Sequence, residues 1–108
     1  MRKNYKISII TVTKNSEKFL EENILSVANQ TYNNYEHIII DGKSTDKTLS
    51  IIKKHEDKIA YWRSEEDSGL YDAMNKGIDR TTGDIIGILN SDDVYFNDAL
   101  QIVNQYFG

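Results

Sequence analysis

The stretch YEHIIIDGKSTD, residues 35–46, changes character at Asp41. Up to that point it is an apolar, largely β-branched run of the kind that forms a strand with both faces buried. Beyond it the residues are small and polar. Gly42 allows a tight turn, and Ser44, Thr45 or Asp46 can cap a helix that runs through Leu49 and Ile52. A strand passing through a short turn into a helix is half of a β-α-β unit. A chain that repeats the unit must build a parallel sheet.

The repetition extends in both directions. Residues 5–12, YKISIITV, read as a strand, and Ser16 is placed to cap a helix carrying Phe19, Leu20, Ile24, Val27 and Ala28 on one face. Downstream, KIAYWRS at 58–64 reads as a third strand, followed by the acidic loop EEDSG. Leu70, Ala73, Met74, Gly77 and Ile78 mark a helix face, GDIIGILN at 83–90 a fourth strand, and Asn97 the cap of a last helix with Leu100, Val103 and Phe107 inward. This β-α alternation with short connections predicts a single α/β domain over residues 1–108. Its sheet is doubly wound and mainly parallel, with helices on both faces and right-handed crossovers. Ligands of such sheets bind beyond the carboxyl ends of the strands, where strand order reverses.

Composition narrows the function classes. The chain has 108 residues, 39% hydrophobic and 28% charged, which is ordinary for a folded soluble domain. A net charge of −4 gives no electrostatic case for nucleic acid as a partner. There is no cysteine, so disulfides and thiolate metal sites are excluded. The basic N-terminus leads into an apolar run too short and too β-branched for a signal peptide, and no segment has the length of a membrane span. The expected location is the cytoplasm, and peripheral attachment to the inner face of the membrane is compatible with it.

Polar residues collect at the strand ends: Thr13, Lys14 and Asn15 after the first, Asp41 to Lys43 after the second, Asn90 to Asp93 after the fourth. Each group has a plain explanation, since Ser, Asn and Asp satisfy free helix amides at such turns. Their coincidence on one sheet edge points beyond capping. Asp92 and Asp93 repel each other beside a core strand; two hard oxygen donors there suit Mg²⁺ or Mn²⁺, which also retain positions for phosphate oxygens. Adjacent Asp residues are also frequent in surface turns. Asp41 either closes a turn with Gly42 or accepts hydrogen bonds from a nucleobase imide or ribose. Asn75 is a poor helix former in mid-helix and is expected to bond to neighbouring strand-end loops. His37 and His55 have no sequence partner that suggests catalysis.

The segments SIITVTKNSEKFLEENILSVANQTYNNYEHIIIDGKSTDKT, SEEDSGLYDAMNKGI and TTGDIIGILNSDD resemble, in order and spacing, the N-terminal half of the family 2 glycosyltransferases. The resemblance covers nearly all of the chain and is similar in type to bacterial polysaccharide transferases. It implies a GT-A, Rossmann-like fold and a nucleotide-sugar donor, usually a UDP-sugar, with a saccharide or lipid-linked acceptor. It implies that Thr11, Thr13 and Asn15 lie along the nucleotide cleft and that Asp41 meets the nucleobase. Asn90-Ser91-Asp92 matches the Asp-X-Asp motif, with Asp92 on the metal, Ser91 near the ribose and Asp93 in support. Three positions depart from the family pattern: Asn90 replaces an acid, Gly42 replaces another, and Met74 stands where arginine is common.

In inverting enzymes of this type a carboxylate base deprotonates the acceptor hydroxyl. No residue of this chain matches that base, which is expected beyond Gly108. The chain is therefore expected to hold the donor half of the site and to transfer sugar poorly alone. The alternative is a non-catalytic nucleotide-binding fragment of such an enzyme. A receiver domain is disfavoured because its acidic pair would follow the first strand, and a dinucleotide-binding oxidoreductase because no G-x-G-x-x-G follows it. An uncovered sheet edge predicts self-association.

Overall fold

The structure, a computed structural model, describes residues 4–107. Arg2 and Lys3 of the basic N-terminal stretch, and Gly108, lie outside the described residues. Strands β1 (Ile7–Thr13), β2 (Tyr35–Asp41), β3 (Tyr61–Ser64) and β4 (Ile85–Ile88) form one sheet in the order β3-β2-β1-β4, with every pairing parallel. Helices α1 (Leu20–Ala28), α2 (Thr48–Lys54), α3 (Leu70–Ile78) and α4 (Ala99–Phe107) connect and follow them. The chain lays strands outward from β1 to β3, then returns to place β4 on the other side of β1. The reversal of order therefore lies between β1 and β4, where sheets of this class open a ligand crevice.

Side-chain alternation along the strands sorts the helices onto the two faces. Ile7 and Ile9 of β1 pack with Val27 of α1 and Leu100 of α4. Ile39 of β2 packs with Leu20 and Ile24 of α1 and Ile52 of α2. Ile38 and Ile40, pointing the other way, pack with Ala73 of α3. Each of these fully buried isoleucines is worth about 1.5–3 kcal/mol in transfer free energy. Helix α3 lies close on β1: a Cβ on Gly77 would stand 2.6 Å from Ile10 Cγ2, so glycine sets the approach distance. Across the other face, Glu21 of α1 holds α2 through His55 Nε2 at 2.9 Å and Lys54 Nζ at 3.0 Å. His55 is thus a buried link between helices.

The element order agrees with the sequence reading, and several boundaries differ. Strand β1 starts at Ile7, because the Tyr5 amide donates to Asn104 Oδ1 of α4 (2.9 Å). Residues 58–60 are not strand: Glu56–Lys58 form a 3₁₀ turn, and the β2–β3 register begins at Ile38↔Tyr61. In β4 only Ile85–Ile88 pair, and the outer edge of that strand has no neighbour among the described residues.

The predicted caps also differ. Ser16 does not cap α1 with its side chain; its carbonyl accepts from the Phe19 and Leu20 amides, while its hydroxyl contacts Ser91. None of the three candidates before α2 is its N-cap, which is Lys47; Asp46, one residue ahead, accepts the Thr48 amide on Oδ1 at 2.9 Å. Asn97 lies two residues ahead of α4, and its carbonyl accepts the Thr31 amide. Phe19, Leu70, Ile78 and Phe107, expected inward, are exposed.

Candidate functional site

At the carboxyl edge of the sheet, Thr13 pairs with Asp41, the Gly42 amide donates to the Thr13 carbonyl (2.9 Å), and the Leu89 amide donates to the Ile10 carbonyl (2.9 Å). The ends of β1, β2 and β4 thus converge. The turn after β1 needs a left-handed residue and uses Asn15, at φ 50°. Its amide donates to Ser44 Oγ (2.8 Å) and its Oδ1 accepts the Thr45 amide (2.9 Å), tying this turn to the one after β2.

Asp41 is fully buried. Its Oδ2 accepts from the Ser44 amide (2.8 Å) and the Ser64 hydroxyl (2.7 Å), and its Oδ1 from the Ser44 hydroxyl (2.6 Å). With two lone-pair positions per oxygen, Oδ2 is saturated and Oδ1 keeps one. The carboxylate therefore organises the floor beneath the β2 turn.

A cleft of about 350 Å³ opens above β1, lined by Val12, Thr13, Lys14, Asp67, Gly69, Leu70 and Ala73. Its size lies within the range of small-molecule sites. Thr13 is buried, and its Oγ1 has no hydrogen-bond partner among the described residues. A buried hydroxyl without a partner has a stability cost, so its position calls for an explanation. The opposite wall is the loop into α3. Gly69, at φ 114°, takes a backbone conformation open to glycine and strained for other residues. The loop is fastened to the helix by Lys76, whose Nζ reaches Glu65 Oε1 (2.9 Å), Asp72 Oδ2 (3.2 Å) and the Glu66 carbonyl (3.1 Å). The Asp72 carboxylate is held below its ordinary pKa, first by the Ser68 amide and then by Lys76.

The turn after β4 presents the acidic pair. The Asp93 amide donates to the Asn90 carbonyl (3.0 Å), and Ser91 Oγ lies 2.9 Å from Ser16 Oγ. Asn90, Asp92 and Asp93 are exposed. Neither carboxylate of the pair has a hydrogen-bond or ion-pair partner among the described residues, and no three His, Cys, Asp or Glu side chains gather into a metal-binding group there. This donor set suits a cation that takes one or two carboxylates and completes its shell with phosphate and water oxygens, the habit of Mg²⁺.

Two predicted residues lie elsewhere. The Thr11 hydroxyl is buried between Asn23 Oδ1 (3.3 Å) and His37 Nε2 (2.8 Å), so it does not reach the cleft. Asn75 is exposed on the far side of α3 from Ala73 and Gly77, and its side chain makes no hydrogen bond to a strand-end loop among the described residues. The reading that it bonds to those loops is corrected accordingly.

One residue escaped the sequence reading. Asn23 is fully buried, and its Nδ2 donates to the carbonyls of Asn90 (2.9 Å) and Asp93 (3.0 Å). Its signal was present as a polar side chain within the inward series Leu20, Asn23, Ile24 and Val27 of α1.

Known proteins resemble this chain in sequence and fold. The family model for glycosyl transferase family 2 matches residues 8–108. An uncharacterized glycosyltransferase of Mycobacterium tuberculosis is 42% identical over 88 residues, covering 81% of this chain and 34% of the relative. TuaG of Bacillus subtilis, a putative teichuronic acid biosynthesis glycosyltransferase, is 35% identical over 98 residues, covering 88% of this chain and 39% of TuaG. Among solved structures, residues 1–349 of S. aureus TarS in complex with UDP-GlcNAc superpose with a TM-score of 0.88 at 27% identity, covering 94% of this chain and 31% of that one. This chain therefore spans about a third of the length of these proteins, and its fold is the GT-A type. With the family model matching nearly the whole of its length, the chain belongs to glycosyl transferase family 2.

Proposed function

We propose that the cleft above β1 receives the nucleoside of a nucleotide-diphospho-sugar, most simply a UDP-sugar, and that the Asn90–Asp93 turn receives its diphosphate. The observation that carries this reading is the cleft of about 350 Å³ at the carboxyl end of β1, bounded by Val12, Thr13 and Lys14 on one side and by Asp67, Gly69 and Leu70 on the other. The UDP-GlcNAc bound by TarS supports a UDP-sugar as donor.

In this reading each strand end has a task. Thr13 lines the nucleoside cleft. Asp41 offers the nucleobase imide its remaining acceptor position on Oδ1; because the carboxylate is buried, that contact requires the Ser44 turn to open. Asn15 holds the turn in register, and Thr11 acts from below through Asn23. Asn90 and Ser91 line the path of the ribose. Asp92, with Asp93 in support, would hold Mg²⁺ or Mn²⁺, whose charge offsets that of the diphosphate. Asn90 adds a hydrogen-bonding amide and no charge, so the cation would depend largely on oxygens brought by the nucleotide. Asn75 would meet donor or acceptor only from the solvent side of α3.

The reaction assigned to the full-length enzyme is inverting transfer to a saccharide or lipid-linked acceptor during cell-surface polysaccharide synthesis, for which the description of TuaG is the support. The base that takes the acceptor proton is assigned outside the matched segment. No helix among the described residues is long and apolar enough to cross a membrane. We assign the enzyme to the cytoplasm, with peripheral contact at the membrane where a lipid-linked acceptor is presented.

Calorimetric titration of UDP into the chain, with Mn²⁺ and with chelator, tests the site. Binding should strengthen with Mn²⁺, and Asp92→Ala should remove that gain while leaving the chelator value in place. Equal affinity under both conditions in the unmodified chain would dismiss the metal role of Asp92. Addition of a UDP-sugar and acceptors then separates transfer from binding alone.

A further inference from the structure

Helix α1 carries a fully buried asparagine on an otherwise apolar face, and that side chain makes every hydrogen bond within its reach. Its two amide hydrogens go to the carbonyls of Asn90 (2.9 Å) and Asp93 (3.0 Å), the first and last residues of the turn that carries Asp92. The Asn90 carbonyl is shared with the Asp93 amide (3.0 Å), which closes the turn. We propose that Asn23 is a positioning residue that pins the Asn90–Asp93 turn and so sets the place of the Asp92 carboxylate for cation and diphosphate.

The chemistry at position 23 is specific. Holding two carbonyls at once requires two N–H donors on one atom, which among small neutral side chains only a carboxamide has. The orientation of the amide is also fixed. Turned over, it would set Oδ1 against two carbonyl oxygens, so Oδ1 must face the Thr11 hydroxyl, which donates to it. Thr11 has then used its only hydrogen, and the contact with His37 must be donated by His37 Nε2–H (2.8 Å). His37 Nδ1 is left as a bare acceptor, in accord with its lack of a partner. A directed chain of hydrogen bonds thus runs from the centre of β2 through β1 and α1 into the acidic turn. Ser16 supports the same turn from the loop after β1, its hydroxyl 2.9 Å from Ser91 Oγ.

The metal part of this proposal rests on the reading of Asp92 given above, and the pinning of the turn does not. Two measurements therefore belong together: amide hydrogen exchange at Asp93, and calorimetric UDP binding with Mn²⁺ or chelator. In the unmodified chain the Asp93 amide should exchange slowly. In Asn23→Leu, which keeps the branching at Cγ, is bulkier and loses both donors, it should exchange at close to the open-chain rate. The Mn²⁺-dependent gain in UDP affinity should fall by about 10- to 100-fold, the usual effect of removing a support behind a metal ligand, with chelator affinity unchanged. Asn23→Ser, a milder change that can donate only once, should shift both readouts in the same direction and serves if the leucine variant does not fold. Wild-type exchange at Asp93 and a wild-type Mn²⁺ gain in a folded variant would overturn the proposal. If the unmodified chain shows no Mn²⁺ effect, the metal role of Asp92 fails, and exchange at Asp93 alone decides whether Asn23 pins the turn.

Discussion

At the scale of single residues, a buried hydroxyl at the edge of the site has a stability cost. The Thr13 Oγ1 has no hydrogen-bond partner among the described residues, and a group in that condition costs about 1–3 kcal/mol. Thr13→Val removes the hydroxyl at nearly constant shape. Urea unfolding should show a variant at least as stable as the unmodified chain. A loss of stability would mean that the hydroxyl serves the fold. His37 gives a prediction in pH. Burial lowers its pKa from 6.5 to about 3. Between those values the unfolded chain binds a proton that the native chain does not. Stability should therefore be fully present above about pH 6.5 and decline on acidification, by up to about 1.4 kcal/mol per pH unit from this residue. His37→Gln should show a shallower decline in urea midpoints from pH 7 to pH 4; parallel slopes would contradict the assignment.

At the scale of elements, α3 is placed by a close contact. Gly77→Ala gains up to about 1 kcal/mol of helix propensity. It also brings a methyl to 2.6 Å from Ile10 Cγ2 in a packed layer, where overfilling costs about 1–3 kcal/mol. The contact should win, and the thermal midpoint should drop. A raised midpoint would mean that Ile10 moves aside freely. The existence and order of the elements were legible because each strand is an apolar β-branched run and each helix has a periodic face. Their ends were less so. Residues 58–60 continue the apolar look of β3, yet the Lys58 amide closes on the His55 carbonyl and the Ile59 amide on the Glu56 carbonyl, a local turn that alternation does not reveal. Ser16 has the composition of a cap, but its hydroxyl is taken by Ser91, 75 positions away. The site was legible as a set of strand-end residues. It was not legible as surface or interior: Thr11 is enclosed by partners distant in sequence and Asp41 by nearby Ser44 together with Ser64 of β3, whereas Asp92 is open.

At the scale of the molecule, the sheet is covered unevenly. Helix α3 lies over β1 and β2, while Ile86 and Ile88 of β4 are exposed beside an edge with no paired neighbour among the described residues. Nothing on Ile85–Ile88 blunts that edge: the strand contains no charge, no proline and no bulge. The expected outcome is association of chains that rises with concentration in sedimentation velocity and is reduced by Ile88→Lys. A monomer at every concentration would count against it. The wider claim is that this α/β domain carries a nucleotide site at the carboxyl edge of β1. A second cavity, of about 270 Å³, lies at the other end of β2, lined by residues that include Glu36, His37 and Lys58. The two locations can be told apart by mapping backbone amide shifts on addition of UDP and Mn²⁺. Nucleotide bound at the carboxyl edge of β1 should perturb residues 12–14, 67–73 and 90–93; perturbations confined to residues 35–37 and 57–60, or none at saturating UDP, would rule that site out.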